Sequence, residues 1–249
     1  MVSRVMQFTL ALVMAFSTSI ALAGAPASKE VSDKLKAALD SPAMGLKVGT
    51  VETSEIPGMY EVQFDNGPRV YATADGQYFI LGDLFQVNAG QFVNLAEKRR
   101  DNERLASMQA LDETDMIVFA PEGETLAEIT VFTDVTCFYC QKLHKEVPEL
   151  NKRGVKVRYL AFPRGGVDSP GYRQLVGAWC ADNPQETLTA LKNKQAVPVT
   201  SCEPNPIAEQ YQLGQAMGVR GTPAMITGTG QMIPGYQSAD QLMVTLGLN

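Results

Sequence analysis

The sequence predicts a two-part chain of α+β/α/β class, in which a helix joins a small N-terminal α+β domain to a larger C-terminal domain opening on a βαβ unit. Three observations predict it. The apolar, β-rich run 127–133 passes through a short polar turn into an amphipathic segment rich in Lys and Glu, and a second apolar run, 155–162, follows Gly154. Strand, helix and strand in that order demand a parallel, right-handed crossover. Between residues 46 and 87 the pattern is instead one of short β-rich runs separated by Asn66-Gly67 and Asp75-Gly76, the signature of hairpins. The stretch 92–111 between these regions is helical by composition, yet its charged middle makes it too polar for a core.

Composition sets the outer bounds. The chain has 249 residues, is 45% hydrophobic and 19% charged, and carries a formal charge of −6. Such a chain is globular and long enough for one large domain or two modest ones. Its strongest basic run, Lys98-Arg99-Arg100, is flanked by acids and reads as a solvated helix face, so a nucleic-acid partner is not expected.

Residues 1–23 predict a secretory signal peptide. Arg4 precedes an apolar run over 8–20, and Ala21-Leu22-Ala23 gives the small-x-small pattern of a cleavage site. A membrane anchor is the rival reading, but the run contains Thr9, Ser17, Thr18 and Ser19 and is short for a span. Export is the expectation, with no membrane insertion once the signal is removed. All four cysteines lie in the exported part, where disulfides are permitted.

The first domain, 24–90, begins with a short helix over 28–39, with Val31, Leu35, Ala38 and Leu39 at helical spacing behind a Ser cap. Runs near 60–64, 69–74 and 77–81 then form a small meander. About 60 residues make a poor core alone, so an edge strand is expected to pair with a second copy. The stiff helix over 92–111, within a linker spanning 91–114, spans about 30 Å. The second domain, 115–249, starts with a strand at 116–119 and the strand 127–133. Thr136 is placed as N-cap of a helix running from Cys137 to about residue 153, kinked at Pro148. Ser169-Pro170, Asn183-Pro184 and Asn205-Pro206 each predict a cap and first helical residue. Runs at 224–227 and 231–233 flank a Gly-rich turn, and Ser238 with Gln241 predicts a capping box for a last helix. The order βαβ, helices, ββα is that of a thioredoxin fold with a helical insertion.

Chemistry concentrates at Cys137-Phe138-Tyr139-Cys140. A cysteine in a first helical turn meets unpaired N–H groups and the positive end of the helix dipole, which favour a thiolate. Cys140 lies on the same helical face, close enough to form a small ring with Cys137, an arrangement suited to reversible thiol–disulfide exchange. Half of a zinc site and a purely structural bridge are the competing readings. Zinc would need two more closely spaced ligands, whereas Cys180 and Cys202 stand far apart and His144 is the chain's single histidine. His144 itself reads either as a group tuning the thiolate or as an ordinary surface residue.

Several segments resemble the bacterial periplasmic disulfide isomerases of the DsbC type. These are Val131-Phe132-Thr133-Asp134 before the cysteine pair, Lys142-Leu143-His144 after it, and residues 157–164. Further along stand Trp179-Cys180, Gly221-Thr222-Pro223-Ala224 and Pro234-Gly235-Tyr236-Gln237. The first domain resembles the family's dimerisation domain in length and element order more than in motif. The resemblance implies a V-shaped homodimer, Cys137 as nucleophile and Cys140 as resolving cysteine. It implies that Cys180 and Cys202 form a second, structural disulfide; closing a loop of that size contributes about 3 kcal/mol. It also implies a cis bond at Thr222-Pro223, although sequence alone favours trans; a cis bond there presents the Thr222 backbone to an extended substrate segment. Two departures stand out. The dipeptide between the cysteines is Phe138-Tyr139 where the family's familiar form has Gly-Tyr, and Val131 occupies the position that holds an acid in thioredoxin.

The expected function is therefore rearrangement and reduction of incorrect disulfides in misfolded exported proteins. The Cys137 thiolate forms a mixed disulfide, and either a substrate thiol or Cys140 resolves it. The resemblance further implies a periplasmic oxidoreductase that is kept reduced by a membrane-bound donor of the DsbD type and needs no metal or organic cofactor. Two rivals remain at this point. One is a reductase of single oxidised cysteines of the DsbG type, against which Cys180 and Cys202 argue. The other is a dimeric periplasmic chaperone whose redox activity is secondary.

Overall fold

The computed structural model describes residues 23–198 and 200–248; the expected signal peptide lies, but for Ala23, outside the described residues. The chain divides into two compact units, Met1–Asp83 and Leu84–Asn249. Among the described residues no helix is long and apolar enough to cross a membrane.

In the first unit, α1 (Lys29–Leu39) is capped by Ser28, whose hydroxyl accepts from the Val31 amide. It packs Leu35 into a core with Val48, Val51, Val62, Phe64, Val70 and Ala72. Those residues line an antiparallel sheet of β1 (Val48–Thr53), β2 (Met59–Phe64), β3 (Arg69–Thr73) and β4 (Phe79–Ile80), ordered as in the sequence. The last strand is shorter than expected. It pairs with β3 and leaves Tyr78, Phe79, Ile80 and Leu81 exposed.

The second unit opens with a hairpin, β5 (Phe85–Asn88) and β6 (Gln91–Asn94), where the sequence led us to expect a helix from residue 92. The loop turns at Ala89 and Gly90, with φ of 47° and 86°. Ala is a poor marker for that left-handed turn, which is why the hairpin was illegible. Helix α2 (Leu95–Gln109) starts later because Asn94 is its cap, accepting from the Glu97 amide. Its polar middle has a tertiary partner: the buried Arg104 donates to the Gly230 carbonyl at 2.9 Å and meets Glu97 and Asp101. Gly230 lies at φ +84°, and a Cβ there would stand 1.9 Å from the Asp101 carbonyl oxygen, so only glycine fits.

The remaining elements are β7 (Ile117–Phe119), β8 (Ala127–Thr133), α3 (Phe138–His144), α4 (Val147–Lys152), β9 (Val155–Ala161), α5 (Pro170–Trp179), α6 (Pro184–Lys192), α7 (Ile207–Ala216), β10 (Ala224–Thr227), β11 (Met232–Pro234) and α8 (Ala239–Thr245). They build a sheet ordered β11-β10-β8-β9-β7, in which β8 and β9 are parallel and the other pairs antiparallel. Alternation along the central strand divides the core: Val131 joins one buried cluster and Phe132 another. This is the thioredoxin-like arrangement, with α5, α6 and α7 inserted between β9 and β10.

Three local expectations are corrected. The helix after the cysteines is broken rather than kinked, because Pro148 sits in the first turn of a separate α4. Helix α7 has Pro206 at its cap position, while Asn205 accepts from the Ile207 amide. The cap of α3 is Cys137 itself, for the reason given next.

Candidate active site

The turn that delivers the cysteines is organised by Asp134. Its carboxylate leaves β8 buried and accepts from the Thr136 amide and hydroxyl, both at 2.7 Å, and from the Arg164 amide at 2.9 Å. Burial alone would raise this carboxyl, but hydrogen bonds from Thr136 and the Arg164 amide outweigh it and hold the group below the ordinary range. With its hydroxyl committed to Asp134, Thr136 does not cap α3. Cys137 takes that position, and its carbonyl accepts the first intrahelical bond, from Gln141.

Cys137 and Cys140 are both free thiols and both buried, 2% and 1% exposed. Their chemistry is opposite. The Cys137 thiol is drawn down to about 5, first by the Cys140 S–H that donates to it, then, against the cost of burial, by the Thr222 hydroxyl, the Cys140 amide and the Arg164 charge. The Cys140 amide belongs to the open first turn of α3, so the helix N-terminus acts on Cys137 as a hydrogen-bond donor. Burial and the neighbouring Cys137 push the Cys140 thiol far up, with the charge of Lys192 opposing them. The pair is thus built as one thiolate beside one retained proton.

Thr222 and Pro223, joined by a cis peptide bond, face this pair from the loop before β10. The Cys137 thiol lies 3.2 Å from the Thr222 carbonyl. Among the described residues the Thr222 hydroxyl is buried with no hydrogen-bond partner, and a Cys137 thiolate supplies it with an acceptor. Phe138 and Tyr139 between the cysteines are 66% and 55% exposed. Tyr139 stacks on Tyr236 at 6.5 Å, Lys142 lies over the other ring at 4.3 Å, and the Tyr236 hydroxyl donates to Glu146 at 2.6 Å. The site therefore presents an aromatic, partly cationic rim to whatever approaches Cys137.

Behind the thiols lie two polar residues that sequence reasoning misjudged or missed. His144 is 6% exposed, which overturns the surface reading. Its Nδ1 meets the Tyr159 hydroxyl at 2.9 Å and its Nε2 the Thr189 hydroxyl at 3.0 Å. Burial, followed by the charge of Lys192, draws it down to about 4. Lys192 carries no motif in the sequence, although its place four residues after Leu188 on α6 puts it on that helix's apolar face. It is 2% exposed, and its ammonium donates to the Thr133 hydroxyl at 2.5 Å and the Asp134 carbonyl at 3.1 Å.

The structure brings Thr222 against the Cys137 and Cys140 pair, with Pro223 joined to it by the cis bond, and it joins Cys180 to Cys202 in a separate disulfide with Cα atoms 5.5 Å apart. Among the described residues no cluster of three or more His, Cys, Asp or Glu could hold a metal ion.

Comparison with known proteins matches this geometry to a family. Residues 112–247 match a thioredoxin-like domain, and residues 22–97 match the disulfide bond isomerase protein N-terminal domain. The chain is 35% identical over 199 residues to the thiol:disulfide interchange protein DsbC of Escherichia coli (strain K12), covering 80% of this chain and 81% of that protein. It is 38% identical over 205 residues to the protein of the same name from Dickeya dadantii (strain 3937), covering 82% of each. Among solved structures, the disulfide interchange protein from Neisseria gonorrhoeae superposes with a TM-score of 0.50 at 26% identity, over 56% of this chain and 98% of that one. With both of its domains matched and its relatives covered over most of their length, this chain belongs to the DsbC family of thiol:disulfide interchange proteins.

Proposed function

We infer that this chain is an oxidoreductase that isomerises, and when necessary reduces, incorrect disulfides in exported proteins. The observation that carries the reading is the asymmetry of the pair, an acidic Cys137 against a strongly basic Cys140, facing the Thr222 backbone. Cys137 is the nucleophile: its thiolate attacks a substrate disulfide, forming a mixed disulfide and releasing one substrate thiolate. If a substrate thiol then attacks the substrate sulfur of that bond, a different bridge forms and Cys137 is freed. If none arrives, Cys140 resolves the intermediate, and the substrate leaves reduced while Cys137 and Cys140 become a disulfide. Thr222 and Pro223 position the substrate, which lies as an extended segment beside the cysteines with its amide opposite the Thr222 carbonyl. Cys180 and Cys202 serve stability only.

The protein works as a homodimer in the periplasm after removal of residues 1–23, and a membrane-bound donor of the DsbD type returns the oxidised pair to dithiol. Residues 24–90 supply dimerisation, 91–114 the linking helix and 115–249 the catalytic domain. What supports dimerisation is the short β4, which has an exposed apolar face and, among the described residues, pairs with β3 on one edge only. Recovery of activity from a scrambled, fully oxidised substrate protein tests the function. Wild type should restore it and Cys137→Ala should not; a Cys137→Ala protein as active as wild type would refute the assignment.

A further inference from the structure

The fate of the Cys140 proton is the unsolved step of this site. Resolution needs Cys140 as a thiolate, yet Cys140 is 1% exposed and burial holds its proton tightly. The position six before Cys137 is Val131, so no carboxylate stands there to take it. Lys192 is placed to act instead. It lies at the end of α6, and among the described residues its Nζ forms no ion pair but donates to the Thr133 hydroxyl and the Asp134 carbonyl. The same Asp134 carbonyl accepts from the Cys137 amide at 3.2 Å, so the amine reaches the base of the cysteine turn, where it and the Cys140 thiol are both closed off from solvent.

We propose that Lys192 is the proton acceptor for Cys140 when Cys140 closes on the Cys137 mixed disulfide. The neutral amine takes the Cys140 proton and becomes an ammonium beside a thiolate. That thiolate attacks the Cys137 sulfur, the Cys137–Cys140 bond forms, and the bond from Cys137 to the substrate sulfur breaks with its electron pair leaving on the substrate thiolate, which solvent protonates. The ammonium returns its proton to solvent before the next turnover. No external oxidant or reductant enters this step, since the substrate sulfur is reduced as Cys140 is oxidised.

A lysine can do this only if it is sometimes neutral. Desolvation draws the Lys192 ammonium down to about 8, against the opposing pull of Cys140, Asp134 and Cys137. About one molecule in ten then holds a free amine at pH 7. The other groups around it are accounted for. Cys137 is already a thiolate or bonded to substrate, His144 on α3 is held neutral by burial, Tyr159 on β9 is pushed up by burial and keeps its proton, and the Arg164 guanidinium works against the Lys192 ammonium. Charge alone would also help a thiolate, so the test must separate proton acceptance from simple attraction.

This inference rests on the resolving role given to Cys140, and the test distinguishes the two. In the full-length protein, a mixed disulfide is formed between Cys137 and a small fluorescent thiol, and thiol release is followed from about pH 6 to about pH 9.5. Wild-type resolution should accelerate through about pH 8 and then level off. Lys192→Met, which keeps the apolar stem without a base, should slow resolution at pH 7 by about a hundredfold or more and abolish the plateau, while mixed-disulfide formation changes by less than about threefold. Lys192→Arg should resolve as slowly as Lys192→Met, because a guanidinium does not accept a proton. A Lys192→Met protein that resolves at the wild-type rate with the wild-type pH limb overturns the proposal, as does an arginine variant that restores both. The wild-type profile decides the matter without any variant: no inflection between about pH 7 and about pH 9 sinks it. Failure of wild type to release the thiol at all would instead remove the resolving role of Cys140.

Discussion

The Cys137 sulfur lies 3.2 Å from the carbonyl oxygen of Thr222, a residue 85 positions later in the chain. That contact joins the two halves of the site. One half is the β8–α3 turn, which favours the Cys137 thiolate; the other is the loop before β10, which presents the Thr222 carbonyl beside the Cys137 sulfur. In the function proposed above, a substrate that hydrogen-bonds to this backbone holds its disulfide in line with Cys137 and does not depend on its own side chains for placement.

Cys137 should titrate near 5 by thiolate absorbance, and Cys140→Ala should raise that midpoint by one unit or more, because the Cys140 S–H is the foremost of the groups stabilising the anion. A midpoint near the free-thiol value of about 8.5 in wild type would contradict the electrostatics described here.

Cys140→Ala should accumulate covalent substrate complexes. Cys137 still attacks, whereas the intramolecular exit is closed, so trapped species should exceed wild type by about tenfold on non-reducing gels of extracts. Absence of such complexes would reverse the roles given to the two thiols.

Acid stability should carry a signature of His144. Its pKa in the fold is lowered to about 4 from 6.5, so the unfolded chain binds the proton first as pH falls. Stability from this group is therefore complete above about 6.5, declines between about 6.5 and about 4 and is constant below, with a loss on the order of 3 kcal/mol at most. Denaturant unfolding of wild type and His144→Gln across that window should show the steeper decline in wild type; parallel curves would exclude the assignment.

The exposed β4 should carry the dimer. Phe79→Lys places a charge on a strand edge that is 58% exposed at this residue. It should lower the apparent mass in light scattering from dimer toward monomer while leaving reduction of small disulfides within about twofold and reducing isomerisation of a scrambled protein by about tenfold, because two sites no longer retain one substrate. An unchanged mass with unchanged isomerisation would place the interface elsewhere.

The sequence by itself determined what depends on neighbours along the chain. Ser28, Ser169 and Ser238 cap their helices through hydroxyls that reach amides three residues on, and the β8 and β9 runs differ in pattern from everything before residue 116. The cysteine spacing likewise placed Cys137 at a helix N-terminus, because a few peptide units settle that geometry. Only the tertiary structure decided what those thiols meet. Thr136 lost its capping role to a carboxylate that is shared with Arg164, 30 residues away. Arg104 became a buried anchor through the carbonyl of Gly230, 126 residues away. His144 and Lys192 read as ordinary polar residues in sequence, yet the fold encloses both behind Cys140. The physical reason is that a side chain's proton affinity is set by desolvation and by partners within a few ångströms, and which partners those are is fixed by the packing of α3 and α6 against the sheet rather than by chain order.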